Sequence, residues 1–213
     1  MTSTDRAVER LLTMTDGQPR ADAQRNIRKL VDAARLAVAE VGVGVTAREI
    51  AERAGVGIGT FYRRVPSREA LLTAVLTDTL DELITVARAA LGARDPWVGF
   101  TAFAESYAQL RATSCGIRDV FGDAPLDPDT DAQVAQLREL IEQMVHRAKR
   151  AGVLRTDVMW RDIAFLLAAT TTGTDTMGLR LSAEQWRLNL RVILDGLRAP
   201  TTWSDVPVSR RAR

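Results

Sequence analysis

Two short helical segments separated by a glycine turn lie between residues 46 and 64 of this chain. Thr46 and Glu49 have the spacing of a capping box, which predicts the start of the first helix. Gly55 ends that helix, because glycine adopts turn conformations without a Cβ penalty, and the second segment, 57–64, follows at once. Two helices joined this closely are typical of a helix-turn-helix, whose second helix enters the major groove of DNA.

The rest of the chain is also patterned as helix, and no stretch shows strand-like alternation. Apolar residues recur at helical spacing, as in the stripe of Ile27, Leu30, Ala34 and Val38. The predicted fold class is therefore all-α, with about nine helices and no sheet. The main helices are expected over 21–41, 46–54, 57–64, 67–91, 97–112, 131–151, 159–172 and 182–197.

The scarcity of histidine and cysteine narrows the possible functions. His146 is the single histidine and Cys115 the single cysteine, so a clustered histidine metal site and an internal disulfide framework are excluded. We expect no cofactor, no metal and no catalytic site, and a lone thiol fits a reducing cytoplasm. The longest apolar run, 163–169, has seven residues, far short of a membrane span, so no membrane association is expected.

Positive charge is concentrated around the two short helices. Residues 20–69 hold ten basic and six acidic residues, a larger surplus than the net charge of +2 of the whole chain. A recognition helix needs small leading residues for close approach and flanking cations for phosphates, and Gly57, Arg63 and Arg64 have those properties. The alternative is a solvated arginine face on an ordinary helical hairpin, within a helical enzyme or a protein–protein interaction module.

The segment TAREIAERAGVGIGTFYRRVPSREALL, which begins at Thr46, resembles the helix-turn-helix of TetR-family transcriptional regulators. The resemblance covers about residues 24–83 and implies a repressor that a small-molecule effector releases from a palindromic double-stranded DNA operator. The segment departs from the family pattern at three positions. Gly57 replaces a capping serine, Arg64 replaces a histidine, and Val65 replaces a phenylalanine.

The resemblance implies roles for individual positions. It places Thr46 beside a phosphate and Arg48 where some members of the family read guanine. Thr60, Tyr62 and Arg68 match positions that hold the DNA backbone. The candidate DNA-binding residues are Arg28, Thr46, Arg48, Gly57, Ile58, Gly59, Thr60, Tyr62, Arg63, Arg64 and Arg68.

Local composition and the resemblance together divide the chain into four regions. Residues 1–20 are expected to form a flexible arm, 21–68 the DNA-binding domain with its motif at 46–65, 69–199 an effector-binding and dimerisation domain, and 200–213 a disordered tail. Aromatic residues and methionine in the third region are typical of a pocket for an apolar or amphipathic effector, although core packing is the alternative. The candidate ligand contacts are Trp97, Phe100, Phe103, Tyr107, Met144 and Phe165.

A homodimer is expected because one helix-turn-helix reads few base pairs, and two half-sites need two symmetric copies. Two C-terminal helices from each copy are expected to form a four-helix interface. Burial of the same stripes inside one subunit is the alternative. The candidate interface residues are Ile163, Leu166, Leu167, Thr170, Thr174, Trp186, Leu190, Ile193, Leu194 and Leu197.

Overall fold

A computed structural model of the chain describes residues 3–14, 21–122, 127–171, 175–180 and 182–199, and these contain ten helices. The helices are α1 (Ser3–Thr13), α2 (Ala21–Val41), α3 (Ala47–Arg53), α4 (Ile58–Arg64), α5 (Arg68–Gly92), α6 (Pro96–Thr113), α7 (Cys115–Val120), α8 (Pro128–Arg150), α9 (Trp160–Ala169) and α10 (Gln185–Leu197). A two-residue antiparallel ladder pairs β1 (Asp175–Thr176) with β2 (Leu179–Arg180). The all-α fold class is confirmed, and no helix in the described ranges is long and apolar enough to cross a membrane.

Helix starts follow capping signals in the sequence. The Thr46 hydroxyl accepts from the Glu49 N–H, so the predicted capping box of α3 is confirmed. Ser67 caps α5 by accepting from the Ala70 N–H at 3.0 Å. The helix α8 begins at Pro128, three residues earlier than the sequence pattern indicated. Asp127 caps it, and Pro128 suits the first helical position.

Residues 3–13 form a helix, so the prediction of a flexible arm over 1–20 is wrong for this part of it. Ala7, Val8 and Leu11 are buried against the following helices. The Ala7 N–H also donates to the fully buried carboxylate of Asp78 on α5, at 3.0 Å. The expected disordered tail, 200–213, lies outside the described residues.

The long helix α5 runs through two hydrophobic clusters. The first cluster combines α1 to α4 with the start of α5 and with α7. The second combines the end of α5 with α6, α8, α9 and α10. The clusters divide within α5, between Leu80 and Leu83, whereas the domain boundary predicted from the sequence lies at residue 68. Because α5 contributes to both clusters, a tilt of α5 displaces side chains in both of them.

Candidate nucleic-acid interface

The helix-turn-helix is seated by apolar side chains on its inner face. Phe61 of α4 and Val65 after it are buried in the first cluster. Gly57, the residue before α4, makes no side-chain capping bond, as expected from the loss of a serine there. The inner face therefore holds α4 in place while the opposite face remains open to solvent.

The outer face of α4 carries small residues, hydroxyls and a cation. Gly57 and Gly59 are exposed, and the Tyr62 side chain is 60% exposed with its ring edge-on to Phe61 at 5.2 Å. The exposed Arg63 guanidinium donates to the Thr60 hydroxyl at 3.2 Å. This surface can approach DNA closely and donate hydrogen bonds to phosphate oxygens and base edges.

Hydrogen bonds between Thr46 and Glu49 satisfy polar groups at the start of α3. The Thr46 N–H donates to the Glu49 carboxylate at 2.7 Å, and the Thr46 hydroxyl donates to the same oxygen at 2.7 Å. The backbone hydrogen bond from Thr46 is the largest cause that lowers the pKa of Glu49. The resemblance places Thr46 beside a phosphate, but its N–H and its hydroxyl already donate to Glu49. Arg48 is exposed in the first turn of α3 and has no ion pair within the described ranges.

Arg68 points into the protein rather than toward solvent, which corrects its predicted phosphate contact. Its Nε donates to the Val45 carbonyl at 2.5 Å, and its Nη2 donates to the Val43 carbonyl. The remaining edge pairs with Glu69 at 3.1 Å. The donors of Arg68 are therefore occupied by the loop between α2 and α3.

Two other arginines of the predicted set are also less available to DNA, one through an ion pair and one through partial burial. Arg28 on α2 pairs with Asp5 on α1 at 2.8 Å, which offsets its positive charge. Arg64 is half-buried at the end of α4, and its buried Nε has no hydrogen-bond partner among the described residues. Arg48 and Arg63 are thus the cations of this motif that the structure leaves directed at solvent.

The aromatic residues expected at an effector pocket fall into two groups. Phe100, Phe103, Tyr107 and Met144 are buried together in the second cluster. Tyr107 stacks on Phe121 at 5.3 Å, and burial raises the pKa of its phenol.

The other two aromatic residues lie outside that packed group. Trp97 is half-buried at its edge, with the Arg198 guanidinium 5.3 Å from its ring centre. Phe165 is 78% exposed on α9, so its prediction as a ligand contact is wrong.

Two surface clefts lie beside the C-terminal half of α8, away from these aromatic residues. One, of about 360 Å³, is lined by Glu142, Val145, His146, Lys149, Met159, Trp160 and Arg161. The other, of about 550 Å³, is lined by Leu91, Gln143, His146, Arg147, Lys149 and Arg150. Neither cleft is lined by Phe100, Phe103 or Tyr107, which are buried in the second cluster.

Most residues predicted at a dimer interface are instead buried within one subunit. Side chains that are already buried in the subunit add almost no area to a contact with a second copy. This correction applies to Ile163, Leu167, Thr170, Trp186, Leu190 and Leu197. Ile193 and Leu194 are partly buried against the same cluster, and Thr174 lies outside the described residues.

A second set of apolar side chains on α9 and α10 faces outward. Phe165, Leu188 and Val192 are 78%, 53% and 62% exposed, and Leu166 is 37% exposed. Leu188 and Val192 are four residues apart and form their own stripe on α10. The sequence also contains this second stripe, but it is shorter than the stripe through Leu190, which was predicted to form the interface.

Comparisons with known proteins agree with this architecture. Residues 30–75 match the family described as bacterial regulatory proteins of the tetR family, and 95–199 match the C-terminal domain of SbtR-like transcriptional regulators. The HTH-type transcriptional repressor KstR of Mycobacterium tuberculosis is 30% identical over 156 residues, which are 69% of each chain.

Solved structures give the same result. A TetR transcription regulatory protein from Mycobacterium vanbaalenii is 30% identical, with 84% of this chain and 98% of that chain covered and a TM-score of 0.53. The TetR transcriptional regulator SCO0520 from Streptomyces coelicolor is 26% identical, with 82% and 98% covered and a TM-score of 0.56. These similarities extend over both hydrophobic clusters.

Proposed function

The chain belongs to the TetR family of bacterial transcriptional regulators, and we propose that it is a repressor that binds a palindromic operator as a homodimer. The observation that carries this proposal is the outer face of α4, where small residues, Tyr62 and Arg63 are exposed beside Arg48 of α3. The relative KstR is itself described as a repressor. In this proposal the protein acts in the cytoplasm, where bacterial DNA lies.

In this proposal the exposed residues of the motif divide between two tasks. Tyr62 and Arg63 hold the phosphate backbone, and Gly57, Ile58 and Gly59 allow α4 to enter the major groove. Arg48 reads a base edge, since arginine pairs with guanine through two parallel hydrogen bonds.

The dimer of this proposal is built on the outward face of α9 and α10. Asn189 of α10 donates to the Thr170 carbonyl at the end of α9, at 3.1 Å, so the two helices are neighbours. Phe165, Leu188 and Val192 expose large apolar area on this pair, and a symmetric second copy would remove it from water. Two copies then present two recognition helices to successive major grooves.

The effector of this proposal is an apolar or amphipathic small molecule that enters the aromatic group of α6 and α8. Phe100, Phe103 and Tyr107 pack on one another there, so the ligand must open the group and favour a different arrangement of α6. Such a difference between the bound and unbound arrangements is what allows a ligand to shift the balance between DNA-binding and released states.

Operator binding is tested by titrating the protein against the DNA that flanks its own gene and against a shuffled duplex of the same length. We expect preferential binding to the flanking DNA. Arg48→Ala should relax that preference by about 1–3 kcal/mol per lost base contact, and Arg138→Ala, an exposed arginine on α8, should change nothing. Equal binding of the wild-type protein to both duplexes would contradict the proposal.

The effector is sought by a thermal-shift screen of small molecules, followed by release of the protein from that DNA. A true effector should raise the melting temperature and lower DNA affinity. Phe103→Trp, which fills the packed aromatic group, should weaken this response, whereas Phe165→Ala on the outer surface of α9 should leave it unchanged. A response insensitive to Phe103→Trp would place the effector elsewhere.

A further inference from the structure

The loop between α2 and α3, residues 42–46, is held by side chains from two other helices. Asp119 of α7 accepts a hydrogen bond from the Val43 N–H at 2.9 Å. Arg68 of α5 donates to the carbonyl of the same residue and to that of Val45. Both backbone polar groups of Val43 are thus bonded to side chains, and one of these, Asp119, lies outside the predicted DNA-binding domain 21–68.

Two glycines allow α7 to lie this close to α2. Gly42 has a φ of +94°, and a Cβ there would run into the Asp119 carboxylate. Gly116 of α7 faces the end of α2, where a Cβ would run into the Val38 side chain. A side chain at either glycine would therefore displace Asp119 or Val38 from its present position in the contact between α7 and α2.

The helix α7 is connected directly to the aromatic part of the molecule. Ser114 ends α6 and also caps α7, by accepting from the Ile117 N–H at 3.3 Å. Phe121, just after α7, stacks on Tyr107 of α6 at 5.3 Å. A displacement of α6 is therefore transmitted to both ends of α7, through Ser114 at the start and Phe121 after the end.

We propose that Asp119 is a positioning residue for the recognition helix. Its carboxylate fixes the 42–46 loop, and this loop leads into α3, which seats α4. Through Asp119 and this loop, α6 and α7 are connected to α3 and α4 by a route that does not pass through α5. This inference rests on the proposed operator binding, since its effect is read as the orientation of α4 in the major groove.

The test compares Asp119→Ala, Asp119→Asn and Gly42→Ala, with Glu105→Ala, an exposed carboxylate on α6, as the control. Binding is measured to a duplex that the wild-type protein selects from a randomised library, and to an unselected duplex of the same length. We expect Asp119→Ala to lose about tenfold in affinity for the selected duplex, because the hydrogen bond from the Val43 N–H to a charged group is lost. Gly42→Ala should show a similar loss, because its Cβ displaces the same carboxylate. Affinity for the unselected duplex should stay unchanged, because Tyr62 and Arg63 still provide phosphate contacts.

Asp119→Asn separates positioning from charge, because its amide oxygen still accepts from the Val43 N–H. It should keep affinity within about twofold of the wild-type protein. Helix content and melting temperature are recorded for every variant. Unchanged selective binding by Asp119→Ala, or equal losses by the alanine and asparagine variants, would overturn the inference.

A loss on both duplexes together with reduced helix content would also overturn the inference, because it would show a merely structural role. Gly42→Ala and Asp119→Asn keep the test valid if Asp119→Ala does not fold. If the wild-type protein selects no duplex, the proposed function itself fails, and this result is distinct from any outcome for the variants.

Discussion

Arg63 and Arg68 lie on neighbouring helices, and their guanidinium groups end in opposite environments. Arg63 is exposed on the outer face of α4 and bonds only to the nearby Thr60 hydroxyl within the described ranges. Arg68 is three-quarters buried and donates to two carbonyls of the loop between α2 and α3. Removing the first side chain affects what the surface can bind, whereas removing the second affects the loop itself.

Arg68→Ala should lower the free energy of unfolding by about 2 kcal/mol, because two carbonyls lose a charged donor. Equilibrium unfolding in urea measures the change, with an unaltered denaturant slope as the sign that the two states are otherwise the same. A change within about 0.5 kcal/mol would mean that water replaces the guanidinium at both carbonyls.

Arg63→Ala is the matched control, and its effects should be the reverse. Its stability should stay within about 0.5 kcal/mol of the wild-type protein. The salt dependence of its DNA binding should fall by about 1 per half-site, because one phosphate contact is lost. The sequence predicted phosphate contacts for both arginines, since it shows a cation beside the recognition helix. It could not show that carbonyls 23 and 25 residues earlier would capture Arg68.

At the scale of elements, the helices with long apolar stripes were predictable and α1 was not. The end of α2 follows from Gly42 and the start of α5 from Ser67, and both residues act locally. In α1 the apolar side chains facing inward are few, and its polar partner, Asp78, is 71 residues away. A carboxylate within the apolar stripe of α5 was the available signal, because a buried charge requires partners.

Leu11→Ala tests whether α1 is an integral part of the fold. Leu11 is fully buried in the first cluster, so the substitution should lower the free energy of unfolding by about 2–5 kcal/mol. Met14→Ala, just after α1 and more than half exposed, should have little effect. Both are measured by urea unfolding, and equal small effects would restore the flexible arm predicted from the sequence.

Asp78 links α1 to α5 and should make stability depend on pH. Burial raises the pKa of its carboxyl above the ordinary 3.8, because desolvation outweighs the Ala7 N–H and the cations of Arg35 and Arg6. The folded protein thus binds this proton more tightly than the unfolded chain does. The stability contributed by the group is complete below 3.8 and is lost as pH rises through the folded-state pKa.

Asp78→Asn remains uncharged at every pH and isolates this contribution. The free energy of unfolding of the wild-type protein, relative to that of Asp78→Asn, should therefore decrease as pH rises from 3.8. Urea unfolding at a series of pH values measures the difference, and Asp129→Asn, an exposed carboxyl on α8, should show no comparable trend. A difference that grows with pH would mean that the arginines dominate and lower the pKa of Asp78.

At the scale of the whole molecule, sequence patterns identified the C-terminal helices but assigned their faces wrongly. Periodicity shows that Leu190 and Leu197 share a stripe, yet it does not distinguish the subunit's own core from a contact with a second copy. Only the packing of α10 against α6 and α9 decides this, and it places the longer stripe inside. The shorter stripe of Leu188 and Val192 is the one left for a partner.

The combined substitution Phe165→Glu and Val192→Glu should convert the proposed dimer into a folded monomer. Both side chains are mostly exposed in one subunit, so glutamate is tolerated there, but in a dry symmetric contact it places unpaired charges. Sedimentation equilibrium at micromolar concentration should give twice 23.4 kDa for the wild-type protein and 23.4 kDa for the variant, with unchanged helix content and weakened operator binding.

Leu36→Glu, on the equally exposed Leu36 of α2, is the control and should remain dimeric, while Leu190→Arg should unfold the subunit. A wild-type protein that sediments at 23.4 kDa would contradict the dimer, and a double variant that stays dimeric would place the contact on another face.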